Sequence, residues 1–206
     1  MANETERVRG IYEEVADKYD RLIGLPERLL FKGGRQWTCS QARGEVLEIA
    51  LGTGRNLSHY PRGVRLTGVE LSPAMVELAR RRAGELGIVA DLREGDAQNL
   101  PFVDDSFDTV VSTLSLCTIP DDRRAVAEAA RVLRSGGRLL LLEHVRSPNP
   151  IVRAAQRLLD PLTVHFQADH LLREPLDHLQ GTGLELEEFE RSKQGLVERV
   201  VAYKPA

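Results

Sequence analysis

The chain opens with apolar residues spaced three or four positions apart, which places them along one face of a helix. They are Val8, Ile11, Tyr12, Val15, Ala16, Tyr19 and Leu22. A second, less regular helical stretch follows Pro26 and is interrupted by the flexible Gly33-Gly34 pair. We therefore predict that residues 1–40 form a helical cap in front of the core.

From residue 45 onward, strand-like and helix-like patterns alternate. The segments typical of strands cover residues 45–50, 64–69, 88–93, 107–112 and 138–144. Helices are predicted from Arg55, from Pro73 with Ser72 as N-cap, and from about Asp121 up to residues 135–137. This alternation indicates an α/β fold with an open, mostly parallel sheet and helices on both faces.

The C-terminal part of the chain shows a different pattern. Helical stretches are predicted over residues 150–159 and 169–180, and two extended segments follow over residues 184–191 and 196–204. These segments are joined near Gly195, so they should pair as antiparallel strands. One reversed strand is therefore expected near an edge of the sheet.

Composition narrows the classes of function. The 206 residues suffice for one domain, and 28 basic against 31 acidic side chains give a formal charge of −3, which argues against a basic nucleic-acid binder. Cys39 and Cys117 are too few and too far apart for a disulfide framework or a zinc site. No basic and apolar leader is present, and no apolar run approaches the roughly 20 residues of a membrane span. We expect a cytoplasmic protein without an integral membrane segment.

Acidic residues mark the ends of the first three predicted strands. Ligands of open α/β sheets bind beyond the carboxyl ends of the strands, where Glu48, Glu70 and Asp96 lie. A ligand with a cationic amine, a ribose and an adenine amine needs three acceptors along one cleft, and S-adenosylmethionine has all three groups. Gly52 and Gly54 follow the first strand and let the backbone approach such a ligand closely.

Other cofactor-binding proteins share part of this pattern. Two glycines after a strand, followed by an acid, also occur in nicotinamide-dependent oxidoreductases. Leu57 stands here where their third glycine would be, and no Tyr has a Lys four residues away. A nicotinamide-dependent oxidoreductase and a non-catalytic cofactor-binding subunit remain as alternatives.

Four segments resemble, in order, the motifs of the class I S-adenosylmethionine-dependent methyltransferases. They cover residues 46–54 (VLEIALGTG), 68–75 (GVELSPAM), 94–102 (EGDAQNLPF) and 131–137 (RVLRSGG). Residues 12–20 resemble the cofactor-covering helix of quinone methyltransferases, and residues 52–61, 116–119 and 142–145 look like thiol and phosphatidylethanolamine methyltransferases. The resemblance implies a Rossmann-like, doubly wound, seven-stranded sheet with one antiparallel strand. It also implies a single methyltransferase domain over residues 1–206, with residues 149–180 as a helical acceptor-side segment.

The resemblance also implies roles for individual residues. Glu48 would hold the methionine region, Glu70 the ribose hydroxyls, and Asp96 with Ala97 the adenine. The cofactor-binding set that it implies is Tyr19, Glu48, Ala50, Gly52, Gly54, Glu70, Leu71, Asp96, Ala97 and Thr113. Ala50 departs from the family, which usually has a glycine at that position.

Methyl transfer from a sulfonium is an in-line displacement, so the protein must chiefly align the reactants and exclude water. His144, at the end of the fifth strand, is the candidate base for an acceptor that must lose a proton. His165, Asp169 and His170 lack a fourth ligand, so no metal is expected. We expect a small, hydrophobic acceptor: a thiol, amine, phenol or quinol, with lipid acceptors included. We also expect S-adenosyl-L-homocysteine as product, no nucleic-acid partner, and a monomer or homodimer.

Overall fold

The strands expected from the sequence are present in the computed structural model, which describes residues 2–206. They are β1 (Glu45–Ile49), β2 (Arg65–Glu70), β3 (Ala90–Glu94), β4 (Phe107–Thr113), β5 (Leu133–His144), β6 (Glu185–Ser192) and β7 (Val197–Tyr203). The helices are α1 (Ala2–Leu30), α2 (Gly34–Cys39), α3 (Pro73–Leu86), α4 (Asp122–Val132) and α5 (Pro150–Gln167).

All seven strands belong to one sheet, in the order β3-β2-β1-β4-β5-β7-β6. The first five strands pair in parallel, whereas β7 is antiparallel to both of its neighbours, β5 and β6. This confirms the predicted Rossmann-like sheet with one antiparallel strand. The strand order reverses between β1 and β4, so their carboxyl ends diverge into a crevice of the kind that binds ligands in open α/β sheets.

The leucine run of β5 shows how the sheet is covered. Leu139 and Leu141 pack on one face in the same cluster as Ala129 of α4, and Leu140 packs on the other face in the same cluster as Ala79 of α3. Successive side chains of a strand alternate between the two faces of a sheet. An uninterrupted apolar run therefore fits a strand that is covered by helices on both faces.

The boundaries of α3 are those expected from the sequence. Ser72 caps the helix, because its Oγ accepts the N–H of Met75 at 3.3 Å and Pro73 occupies the first turn. Gly87 ends the helix in the left-handed conformation, with φ 65°. Among residues 2–206, no helix combines the length and the apolar character that crossing a bilayer requires.

Several other helices differ from the prediction. α1 continues through Pro26 to Leu30. Pro26 has no N–H to donate to the carbonyl of Leu22, but this turn of the helix is exposed, so water can donate a hydrogen bond to that carbonyl instead. α5 continues in the same way through the exposed Pro161. The helix expected from Arg55 is a single 3-10 turn over Leu57–His59. α4 ends at Val132, and residues 134–137 form an irregularity in β5 instead of a helix stop.

The predicted helix over residues 169–180 is wrong, since only Pro175–Leu179 forms a 3-10 helix there. α5 ends at Ala168, whose φ of 53° is left-handed and whose N–H bonds back to the carbonyl of Val164 at 3.1 Å. Two side chains of α5 then form hydrogen bonds with the backbone of Leu171. Its N–H donates to Asp160 at 2.7 Å and its carbonyl accepts from Gln156 at 2.8 Å, so neither group is left for a helix.

Candidate functional site

A pocket lies at the carboxyl edge of the sheet, beside the crevice between β1 and β4. Its walls come from α1 and from the loops that follow β1 to β4. Seven of the residues predicted to bind a cofactor line it: Tyr19, Ala50, Gly52, Glu70, Leu71, Asp96 and Ala97. A pocket in this position is where open α/β sheets bind their ligands.

Glu70 ends β2 and ties two loops together at the floor of this pocket. One carboxylate oxygen accepts the N–H of Gly52 at 3.0 Å, and the other accepts the N–H of Ser72 at 2.9 Å. Burial raises the pKa of Glu70, and the backbone N–H groups oppose that rise because they favour the charged form. A carboxylate oxygen has two lone pairs, so each oxygen keeps one for a ligand.

Asp96 shapes the loop after β3. One of its oxygens accepts the N–H of Gln98 at 2.8 Å, and the Gln98 amide donates to both oxygens at 2.9 and 3.1 Å. The amide oxygen of Gln98 in turn accepts the N–H of Asp121 at 2.9 Å. This chain of bonds fixes the Asp96 carboxylate at the pocket wall and connects it to the start of α4.

The three other residues of the predicted cofactor set, Glu48, Gly54 and Thr113, lie behind the pocket wall. Glu48 is buried and accepts hydrogen bonds from the Asn56 amide and the Tyr60 hydroxyl, each at 2.8 Å. Burial raises its pKa to about 7, although both bonds act in the opposite direction. Thr113 Oγ1 accepts from the same Asn56 amide at 2.8 Å.

Arg35 of α2 completes this buried layer. Its guanidinium donates to Thr113 Oγ1 at 2.7 Å and to Asn56 Oδ1 at 3.0 Å, and it pairs with Glu27 of α1 at 2.8 Å. The sequence analysis assigned Glu48 to the cofactor but did not consider which side chains would donate hydrogen bonds to its carboxylate. It therefore missed Arg35, Asn56 and Tyr60. A buried acid at a strand end requires such partners, and that requirement is the signal that was available.

α1 covers the pocket. Tyr12 and Tyr19 both line it and meet edge to face, with ring centroids 5.9 Å apart. Asp20 on the next position anchors the helix, since it accepts from Thr53 Oγ1 at 2.7 Å and forms an ion pair with Arg82. The predicted seven-residue tyrosine spacing thus places both rings against the site.

His144 and Asp169 lie close together and near Tyr12, but neither of them lines the pocket. His144 Nε2 is 2.9 Å from Asp169 Oδ1. Burial alone would lower the pKa of His144, but the carboxylates of Asp169 and Glu143 outweigh it and the pKa is raised. Burial raises the pKa of the Tyr12 hydroxyl well above its usual range, and the nearby Tyr19, Cys117 and Asp169 add to the rise.

Cys117 completes a cluster in which the Cys117, His144 and Asp169 ligand atoms lie within 4.8 Å of one another. On a tetrahedral zinc with bonds of 2.0–2.1 Å, two ligand atoms are roughly 3.3 Å apart. The 2.9 Å between His144 Nε2 and Asp169 Oδ1 is shorter and fits a direct ionic contact between the two side chains. Burial also raises the pKa of the Cys117 thiol well above its usual range. The geometry therefore fits a His–Asp pair better than a metal site.

The comparisons with known proteins point in one direction. A family model described as a methyltransferase domain matches residues 47–141. A phosphatidylethanolamine N-methyltransferase of Cereibacter sphaeroides is 38% identical over 118 residues, covering 56% of this chain and 58% of the relative. A ubiquinone/menaquinone biosynthesis C-methyltransferase of Roseobacter denitrificans is 35% identical over 164 residues, covering 74% of this chain and 64% of the relative.

A solved structure of an S-adenosylmethionine-dependent methyltransferase of Thermotoga maritima has a TM-score of 0.72 to this chain. It is 25% identical, and the match covers 95% of this chain and 99% of that one. The part of the chain that the family model matches is a class I S-adenosylmethionine-dependent methyltransferase domain. It spans about 58% and 64% of the length of the two curated relatives.

In this methyltransferase, two non-glycine residues with left-handed backbone flank the crevice. Ala50 follows β1 with φ 49°, Leu114 follows β4 with φ 54°, and both line the pocket. The left-handed region costs an L-residue about 1–2 kcal/mol, and such strain concentrates at ligand sites. A glycine at position 50, which the family resemblance implies, would adopt this backbone conformation without strain.

Glu143, adjacent to His144, is a site residue that sequence reasoning missed. It is fully buried and accepts from Ser112 Oγ at 2.9 Å and from the N–H groups of Ser115 and Leu116 at 3.1 and 3.3 Å. Burial raises its pKa to about 7, with His144 and these donors acting against the rise. Glu143 thereby holds the methyltransferase loop that carries Leu114 and Thr118 into the pocket.

The two glycines of the first loop should differ in what an added methyl group costs. Both have positive φ, 58° at Gly52 and 76° at Gly54, so Gly52→Ala and Gly54→Ala each incur about 1–2 kcal/mol of backbone strain. A Cβ at Gly52 meets nothing within 4 Å, whereas one at Gly54 would lie 2.8 Å from Leu57 and 3.2 Å from Ala79. The free energy of unfolding, measured in urea, should therefore fall by about 1–3 kcal/mol more in Gly54→Ala than in Gly52→Ala. Equal losses would show that the packing around Gly54 adjusts freely.

Proposed function

We propose that the chain transfers the methyl group of S-adenosylmethionine to a small, hydrophobic acceptor, which is a thiol, amine, phenol or quinol. The observation that carries the proposal is the continuity of one pocket. Glu70, Asp96, Tyr12 and Thr118 all line it, and the His144–Asp169 pair lies near Tyr12 outside that lining. Cofactor and acceptor could therefore meet without an intervening wall.

We assign Glu70 to the ribose hydroxyls and Asp96, with Ala97, to the adenine. Each oxygen of Glu70 accepts one backbone N–H, and its remaining lone pair suits a hydroxyl donor. Leu71 and Tyr19 supply apolar walls, and Gly52 lets the backbone approach the ligand. Glu48, Gly54 and Thr113 would support the methionine end from behind, through the bonds to Asn56 and Arg35.

The cofactor supplies a methyl group activated on a positively charged sulfur. The chain holds the acceptor in line with that group and excludes water, for which α1 is placed by its two pocket-facing tyrosines. As the acceptor forms its new bond to carbon, the electron pair of the carbon–sulfur bond stays on sulfur, and the acceptor's proton must leave. We assign the uptake of that proton to His144, whose buried Nδ1 has no hydrogen-bond partner among residues 2–206.

Apolar residues in the pocket lining are compatible with a hydrophobic acceptor. They include Val8, Leu114, Ile119 and Pro120. The two curated relatives are named for a phosphatidylethanolamine nitrogen and for ubiquinone or menaquinone, both of which carry long apolar chains. Phenols and amines gain more from a positioned base than thiols, which ionise near pH 8.5 on their own.

The Glu70 assignment predicts a loss of cofactor affinity. Glu70→Gln replaces a charged acceptor of the ribose hydroxyls, which should weaken S-adenosylmethionine and S-adenosylhomocysteine binding by roughly ten- to a hundredfold. Isothermal titration calorimetry measures both ligands, with NADH as the comparison. Glu77→Gln makes the same change at an exposed position of α3 and should bind like the wild type. Unchanged affinity in Glu70→Gln, or binding of NADH alone, would refute the assignment.

The His144 assignment predicts a pH profile. A base must be neutral to accept a proton, so kcat/KM should fall as pH decreases through the raised pKa of His144, which lies above the ordinary 6.5. Asp169→Asn removes the main partner that raises this pKa, so the acidic limb should move to lower pH. Stopped-time methyl-transfer assays with a phenol acceptor, carried out across the pH range, measure the acidic limb of the kcat/KM profile.

His178 and Asp122 provide a matched control, because they form another His–Asp contact of 2.9 Å, between α4 and the 3-10 helix over Pro175–Leu179. Asp122→Asn should leave the acidic limb where it is. His144→Gln should reduce kcat for the phenol by roughly 10²–10⁴-fold and affect a low-pKa thiol much less. An acidic limb that stays in place in Asp169→Asn would show that His144 is not the base.

A further inference from the structure

The helix α5 presents its apolar face to solvent. Ile151, Leu158 and Leu162 fall on one side of the helix, and each is more than half exposed. Gln156 lies on the opposite, buried side, and its amide donates to the carbonyls of Val145 and Leu171 at 2.9 and 2.8 Å. The helix is thus attached to the protein through polar bonds, and its apolar side has no partner within residues 2–206.

The second half of α1 has the same character. Leu22, Leu25 and Leu29 are three, four and seven residues apart, which places them on one side of the helix, and each is more than half exposed. Four exposed cations flank this stripe and have no ion-pair partner in the described part of the chain. They are Lys18, Arg21, Arg28 and Lys32.

The acids of the same segment are turned toward the protein. Asp20 pairs with Arg82 and lies 3.5 Å from Arg55, and Glu27 pairs with Arg35 at 2.8 Å. Both carboxylates are therefore paired with arginines of the protein. The outward side of α1 between residues 18 and 32 combines leucines with positive charge only.

The two helices lie over the same edge of the sheet and run in opposite directions. Near its start, α1 donates from Arg7 to the carbonyl of Val164 at 3.0 Å, close to the end of α5. At the other end, Phe31 packs with Val197 at the start of β7, and the N-cap of α5, Asn149, donates to Gln194 at 3.1 Å. Both apolar stripes therefore belong to the carboxyl edge, where the pocket opens.

We propose that this lipid-facing surface, made of Leu22, Leu25, Leu29, Ile151, Leu158 and Leu162, docks on an anionic phospholipid bilayer. Exposed leucines beside unpaired lysines and arginines are the combination that binds the interface of such membranes. A second copy of the chain fits less well, because a two-fold dimer would place the same cations of α1 against one another. The chain lies on the membrane in this arrangement and does not cross it.

Membrane docking would bring the pocket to its acceptor. Tyr12 and Tyr19 on the inner side of α1 line the pocket, while the outer side of the same helix meets the lipid. The acceptor class is then a molecule dissolved in the bilayer, such as a lipid headgroup or a quinol. This last step rests on the proposed function, whereas docking itself does not.

The test is flotation of the full chain with vesicles of phosphatidylcholine alone or mixed with phosphatidylglycerol. The wild type should bind the mixed vesicles and lose that binding in high salt. Leu25→Glu/Leu29→Glu should reduce partitioning at least tenfold, since it replaces two apolar groups that enter the interface. Arg21→Gln/Arg28→Gln should reduce it by roughly twenty-five-fold, at about fivefold per charge, on the mixed vesicles only.

Val89→Glu/Val103→Glu is the matched control, because both valines are highly exposed and lie away from α1 and α5. It should float like the wild type. Calorimetry with S-adenosylmethionine on every variant verifies the fold and separates the two proposals. A chain that binds the cofactor but ignores anionic vesicles overturns docking alone, and one that floats without binding the cofactor overturns the proposed function alone.

Two further results would overturn docking. Equal flotation with both vesicle types would show that the cations of α1 play no part. A concentration-dependent dimer in light scattering that Leu25→Glu/Leu29→Glu abolishes, together with no flotation, would assign the surface to a second copy of the chain.

Discussion

Three carboxylates buried at the carboxyl edge of the sheet hold the loops that make the site. Glu48, Glu70 and Glu143 stand at or near the ends of β1, β2 and β5, and each accepts hydrogen bonds from the loop that follows or from a neighbouring one. A buried carboxylate is tolerated only where such donors offset its lost hydration. The donors are backbone N–H groups and loop side chains. A movement of the loops would therefore leave a buried carboxylate without the hydrogen bonds that replace its hydration. The parallel strands make this possible, since all of them end at the same edge.

The helical cap is attached by a different kind of interaction. Only Val8 and Ala16 of α1 are buried among its described apolar residues, whereas α4 and α3 each pack on one face of the sheet through a large apolar cluster. α1 is held mainly by polar contacts, such as those of Asp20 with Thr53 and Arg82. Partly exposed ion pairs contribute little each. The cap therefore belongs to the less stable part of the molecule, which suits a cover that must let a ligand enter and leave.

The sequence patterns predicted the sheet well because they report directly on its physics. The leucine run of β5 can only be a doubly covered strand, and Ser72 with Pro73 marks a helix start by local hydrogen bonding. Periodicity was less informative for helices at the surface. It predicted a helix over residues 150–159 but did not indicate which side faces the core, because Gln156 attaches that helix through long-range bonds to Val145 and Leu171. Such bonds leave no mark on local spacing.

The His144–Asp169 pair shows how one helix end decides the chemistry of the site. His144 was predicted from its position at the end of β5, but its partner lay in a segment that was predicted to be helical. The left-handed Ala168 reverses the chain after α5, and Thr163 Oγ1 then donates to the carbonyl of Asp169 at 2.7 Å. The next N–H, of His170, bonds the carbonyl of Cys117 at 3.0 Å. In a continuous helix, the carbonyl of Asp169 and the N–H of His170 would form hydrogen bonds within the helix. The end of α5 at this point therefore allows Asp169 to reach His144.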